Sequence, residues 1–209
     1  MSKYFNFFPQ TLYTSDTITG DVVKNLTARF SFEESFKNNT AVCYEYDVQD
    51  SDTPEIIASK FYGDSERHWI VLMFNDINDP QFDWPMDYRT LISFIDEKYK
   101  AEANVGQSGS NWAQSNVHSY YKVETRTTLS TNTVVTNKFQ VDSNTYSTIV
   151  ATNNDVVLSS GGTIRIQTSK ETKTYYNYEL ELNESKRRIK LLKQEFVSAV
   201  EEEFRRVIR

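Results

Sequence analysis

The chain has 209 residues, 38% hydrophobic and 25% charged, with 29 acidic and 23 basic groups and a formal charge of -6. That length suits one substantial domain or two small ones. The low apolar fraction and a mean hydropathy of -0.59 argue against a single large core, so much of the chain is expected to stabilise itself against something else.

No run approaches the ~18 consecutive apolar residues of a membrane span, and MSKYFNFFPQ lacks the pattern of a signal peptide, so neither membrane nor export is expected. One cysteine, Cys43, excludes an intramolecular disulfide, and two histidines, His68 and His118, offer little to a metal. No cofactor is expected, folding is assigned to a reducing cytoplasm, and Cys43 reads as a packed thiol. Net acidity argues against nucleic-acid binding. Residues 183–209 nevertheless hold eight bases and five acids, net +3 against -9 elsewhere, so the ends can attract opposite charges.

In chain order, Tyr4, Phe5, Phe7 and Phe8 come before any segment able to bury them and are expected to anchor to a surface of this chain or another. Val22, Val23, Leu26 and Phe30 recur at helical spacing after Asp21 and predict a short helix. Val42, Tyr44, Tyr46 and Val48 alternate with polar residues and predict a strand. Thr53 is placed to cap a helix whose first position is Pro54, and Gly63 to end it. Ser65 is placed to cap a second helix carrying Trp69, Ile70, Leu72 and Met73. A third is expected after Pro85, where Tyr88, Leu91, Ile92, Ile95 and Tyr99 fall three and four apart.

The stretch AEANVGQSGSNWAQSN predicts a linker. Strands are expected in SYYKVETRTTL, NTVVTNKFQV, YSTIVAT, DVVLSS and GTIRIQT, with Gly161-Gly162 as a hairpin turn and Ile164 and Ile166 on a covered face. From Tyr178 to Arg209 neither Gly nor Pro occurs, and Leu182, Ile189, Leu192, Phe196, Val200, Phe204 and Val207 predict one long amphipathic helix. The expected divisions are thus 1–40 (aromatic anchor and short helix), 41–100 (strand and helices), 101–117 (linker), 118–177 (β-rich insertion) and 178–209 (terminal helix), an α+β class.

Reactive constellations are hard to find. Glu55 and Asp64 have a phage-lysozyme-like spacing, but the threonine expected six positions on is Ile70, and both acids flank one helix, where capping and dipole roles suffice. No G-x-S-x-G, H-E-x-x-H or glycine-rich phosphate loop is present. NDINDPQFD has the acids of a calcium loop, but Pro80 interrupts them and no glutamate closes the series.

Residues 46–80, YDVQDSDTPEIIASKFYGDSERHWIVLMFNDINDP, resemble a LysM module, through Tyr46-x-Val48, Asp52-Thr53, Ile57-Ala58, Phe61-Tyr62-Gly63, Trp69 to Leu72 and Asn75-x-Ile77-x-Asp79-Pro80. The module's closing strand is not evident in the FDWPMDYRTL that follows. Such modules commonly bind N-acetylglucosamine polymers, which here implies loops at Ser51, Asp52, Thr53 and at Ile77, Asn78, Asp79.

Over its length the chain resembles the baseplate wedge protein fifty-three family of T-even-type contractile-tailed bacteriophages, through FNFFP, FYGDSERHWIVLMFNDINDPQFDW and LNESKRRIKLLKQEF in the same order, whereas residues 105–175 match poorly. The resemblance implies a non-enzymatic structural protein of the virion tail baseplate, assembled in the host cytoplasm. Its LysM-like domain would serve protein contacts with other wedge subunits, neighbouring wedges of a hexagonal baseplate and the sheath initiator. The alternative is a peptidoglycan-binding module of a tail-associated protein. Candidate interface residues are Phe5, Phe7, Phe8, Trp84, Ile189, Leu192, Phe196, Val200 and Phe204.

Overall fold

The computed structural model describes residues 3–14, 20–27, 30–159 and 161–208. The chain divides into two compact units: unit 1 is residues 1–87 and 183–209, and unit 2 is residues 88–182. Helices and antiparallel sheets share the chain, an α+β fold.

Unit 1 opens with a helical turn, α1 (Lys3–Asn6), and a hairpin of β1 (Gln10–Thr14) and β2 (Gly20–Lys24). Helix was expected from Asp21, and its residues 28 and 29 lie outside the described residues, as does Arg209. Val22 and Val23 instead pair with Leu12 and Thr11. β-branched side chains suit a pleated ribbon better than a helical turn, and the helical spacing marked no buried face, since Val22 is 66% exposed.

A second turn, α2 (Glu34–Lys37), leads to β3 (Cys43–Asp47). Cys43 is buried, its thiol directed at the Asn39 carbonyl, 3.4 Å away. α3 (Pro54–Tyr62) starts where Thr53 accepts the Ile56 amide at 3.3 Å and ends at Gly63, whose φ of 70° is open to glycine without steric cost. A 3-10 turn at Ser65–Arg67 precedes α4 (His68–Phe74). Asp64, not Ser65, caps that turn, accepting the Glu66 amide at 3.0 Å. α5 (Pro80–Asp83) is a single turn capped by Asp79.

Unit 2 begins with α6 (Tyr88–Lys98), and the expected linker contains α7 (Gly109–Ser115). A Cβ on Gly109 would lie 2.1 Å from the Asp96 carbonyl oxygen, so this glycine permits a close crossing rather than a flexible joint. Ala113 is fully buried there, and Trp112 stacks on Tyr99 at 5.5 Å. β4 (Val117–Thr128) and β5 (Thr133–Val141) follow, then α8 (Ser143–Thr148) where YSTIVAT predicted a strand. Asp142 decides for helix by accepting the Asn144 and Thr145 amides, both at 2.9 Å.

β6 (Thr152–Val157) and β7 (Thr163–Thr174) complete an antiparallel sheet of order β5-β4-β7-β6, with Gly161 at φ 82° in the turn between them. Leu91, Ile95, Tyr99, Ala113 and Val123 are the buried apolar residues of unit 2. All of β6 and eight of the nine β5 residues are exposed. The covered face expected for Ile164 and Ile166 is only half-covered. α9 (Tyr175–Ser185) holds buried Glu179, which accepts bonds from Lys98 Nζ and the Tyr99 hydroxyl, both at 2.7 Å.

Unit 1 resumes at Asn183 and continues into β8 (Arg188–Leu192) and α10 (Gln194–Val207). The single terminal helix expected over 178–209 is therefore three elements. β8 pairs antiparallel with β3, Cys43 facing Leu192 and Asp47 facing Arg188. Unit 1 thus has a strand, two helices and a closing strand, with unit 2 inserted before the last. The insertion point is held by buried Asn183, whose amide accepts from Met86 N at 2.8 Å and donates to Met86 O at 2.9 Å.

The core joins Ile57, Ala58, Tyr62, Ile70 and Phe74 to Leu191, Leu192, Val197 and Phe204. Phe204 lies 4.7 Å from the Trp69 ring, 5.3 Å from Tyr4 and 5.4 Å from Phe30. Phe204→Ala is expected to cost about 3–5 kcal/mol of unfolding free energy in a urea titration. Replacing residues 88–182 by a short Gly-Ser linker is expected to leave unit 1 cooperatively folded. Asn183→Ala in the full chain should lower its stability by about 1–3 kcal/mol; non-cooperative melting of the shortened chain would refute the autonomy of unit 1.

Candidate functional site

The structure brings most sequence-nominated interface residues into the core instead of onto a surface. Phe8, Trp84, Ile189, Leu192, Val200 and Phe204 are all at most 9% exposed. The reason is the fold-back of both ends: Tyr4 and Phe8 pack on Phe204, Ile189 and Leu192 lie in β8, and Trp84 donates its indole hydrogen to the Asp52 carbonyl at 3.0 Å. Phe7 is half-buried, with the Arg205 guanidinium 4.6 Å over its ring. Phe196 is half-buried at a groove. Phe5 alone of the nine is largely exposed, at 48%.

Further apolar side chains of unit 1 face solvent at the hairpin. Leu12, Tyr13, Val22, Val23 and Leu26 are exposed on and beside the β1–β2 hairpin, which the Asn25 amide anchors to the Pro9 carbonyl at 2.8 Å and Lys24 Nζ to the Phe5 carbonyl at 2.6 Å. An isolated two-stranded ribbon is marginal in water, and this one exposes Leu12 and Val22 on one face and Tyr13 and Val23 on the other, with Leu26 just beyond its end. Sequence reasoning missed it, although the β-branched Val22-Val23 pair after Gly20-Asp21 was a usable strand signal. A groove of about 720 Å³ lies beside α10, lined by Phe30, Phe32, Phe36, Phe196, Val200 and Val207, with Glu33 and Glu203 as its charged members.

The family profile described as base plate wedge protein 53 matches residues 3–207. The chain belongs to that family. A curated relative, the baseplate wedge protein gp53 of Enterobacteria phage T4, is 29% identical over 106 residues, covering 49% of this chain and 53% of the relative. The chain therefore spans about half the length of the curated relative it matches.

Within this family member, the loops nominated for glycan are largely engaged by the fold. Asp52 is buried, and its carboxylate accepts from Tyr46 Oη and Lys60 Nζ, both at 2.6 Å, and from the Gln49 amide at 3.2 Å. Thr53 and Asp79 cap helices, Ile77 packs on the core, and Ser51 and Asn78 are exposed. Among the nominated catalytic pair, Asp64 caps its turn and Glu55 sits in the first turn of α3, where its charge favours the helix dipole. No cluster of three or more metal-ligating side chains occurs among the described residues.

Burial opposes ionisation of Asp52, but the Lys60 ammonium, the Tyr46 hydroxyl and the Gln49 amide outweigh it and hold the carboxyl below its ordinary 3.8. The same hydrogen bond, aided by burial, pushes Tyr46 up to about 12. A carboxyl whose folded pKa is depressed stabilises the fold above its unfolded pKa and loses that contribution as pH falls through the folded one. The urea midpoint is expected to drop on acidification below about pH 4, and Asp52→Asn should shrink that step while lowering stability at pH 7 by about 1–3 kcal/mol.

Proposed function

We propose that the chain is a structural component of a phage tail baseplate wedge, joining neighbouring wedge subunits through protein contacts. Its partners on this reading are other wedge subunits, neighbouring wedges and the sheath initiator, within a virion baseplate assembled in the host cytoplasm. The family match over residues 3–207 carries the reading, and the free apolar hairpin of unit 1 supports it as a surface that gains by being covered. The strand, helix, helix, strand order of unit 1 supports reading it as a LysM-like domain used for protein contacts. The peptidoglycan alternative is disfavoured because Asp52, Thr53 and Asp79 bond to the chain itself.

Leu12→Lys with Val22→Glu, which sets opposite charges against each other across the β1–β2 ribbon, tests this. Both positions are exposed, so unfolding free energy should change by no more than about 0.5 kcal/mol per site, while co-purification with the other wedge subunits of its phage should be lost. Undiminished recovery of the complex would remove the hairpin from the contact. Retention of the wild-type chain on purified peptidoglycan would count for the alternative.

A further inference from the structure

β5 forms one edge of the unit 2 sheet, with β4 as its neighbour. Such an edge presents a row of unpaired backbone N–H and C=O groups, and native edges are normally blunted by short length, bulges, prolines or lysines. β5 is nine residues long, contains no proline, and pairs with β4 in unbroken register from Tyr120 and Val141 to Thr128 and Thr133. Its one charge, Lys138, is held by Glu171 at 2.7 Å. Val134, Val135 and Phe139 are 58%, 52% and 50% exposed.

We propose that β5 is a self-association edge, two copies of the chain pairing their β5 strands antiparallel about a two-fold axis at Asn137. Side chains directly opposite in such a pair share a face, and a two-fold axis makes each contact occur twice. Centring the pair on Lys138 would oppose two ammonium groups, which is destabilising. Centring on Thr136 carries Val141 past the strand to face Thr131 and sets Val134 against Lys138. Centring on Asn137 uses the whole strand, opposes no like charges, and places Val135 against Phe139 twice, an aromatic and β-branched pair of the stabilising kind. In the same cross-strand row as Val135 lie Arg126 and then Ile166, so Arg126 separates the two apolar side chains within each sheet. The inference rests on strand geometry and is independent of the wedge reading.

The test is the mass of the full chain in solution. Wild-type protein is expected to sediment at twice its 24.4 kDa when concentrated and to dissociate on dilution, because one strand pair is small beside the ~1,600 Å² of a standard interface. Val135→Lys with Phe139→Lys opposes lysines at both contacts and should give the single-chain mass. Val135→Glu with Phe139→Lys opposes Glu to Lys twice and should restore the dimer, more weakly as salt is added. Both double variants change exposed positions on one face, and matched circular-dichroism melts establish equal folding. A wild-type chain that stays monomeric through the dilution series, as it would if a different protein occupied this edge, overturns the proposal. So does a pair of double variants with the same mass.

Discussion

Unit 1 depends on one long-range contact, the ladder in which Tyr46 faces Ile189 and Cys43 faces Leu192. Two strands alone are marginal, and this pair is supported on every side. Val48 N bonds to the Arg187 carbonyl and Lys193 N to the Val42 carbonyl, both at 2.9 Å, extending the ladder at its two ends. On the free side of β8, Asn75 behaves as a fragment of a further strand: its Oδ1 accepts from Lys190 N at 2.7 Å and its Nδ2 donates to Lys190 O at 2.8 Å. Once β8 is in place, α10 follows directly, and Phe204 provides the platform on which Tyr4, Phe8 and Phe30 gather.

That arrangement also governs how unit 2 enters the chain. The β3–β8 ladder closes around an insertion of residues 88–182, and a loop of such length imposes only a slowly growing entropic cost if its ends are kept together. Asn183 keeps them together with two bonds to Met86. Inserted segments tolerate divergence when the host unit does not rely on them for its core.

The low apolar content has its physical counterpart in unit 2. Beyond a small buried cluster, its sheet is a single layer held by backbone ladders and exposed ion pairs such as Arg165 with Asp155 and Lys138 with Glu171. Exposed pairs contribute ~0–1 kcal/mol each, so the distal strands belong to the low-stability end of the molecule. A surface of that kind is stabilised further by whatever strand or face covers it.

Local chemistry was legible from the sequence. The Thr53 cap, Pro54 at the first turn, the Gly63 stop, α6, the five strands β3 to β7 and the Gly161 turn all follow from interactions within a few residues, and the family was recognisable from three separated blocks. The site was less so. The spacing of Ile189, Leu192 and Phe196 suits a helix, yet Ile189 and Leu191 also alternate as a strand, and only β3, distant in sequence, selects between them. Aromatic clusters signal that a surface must be covered but not by what, so Phe8, Trp84 and Phe204 read as interface until the tertiary structure supplied their partners. Hydrophobic pattern determines which residues seek burial; which of them meet inside one chain, and which remain for another, is decided by contacts between segments that the linear order keeps apart.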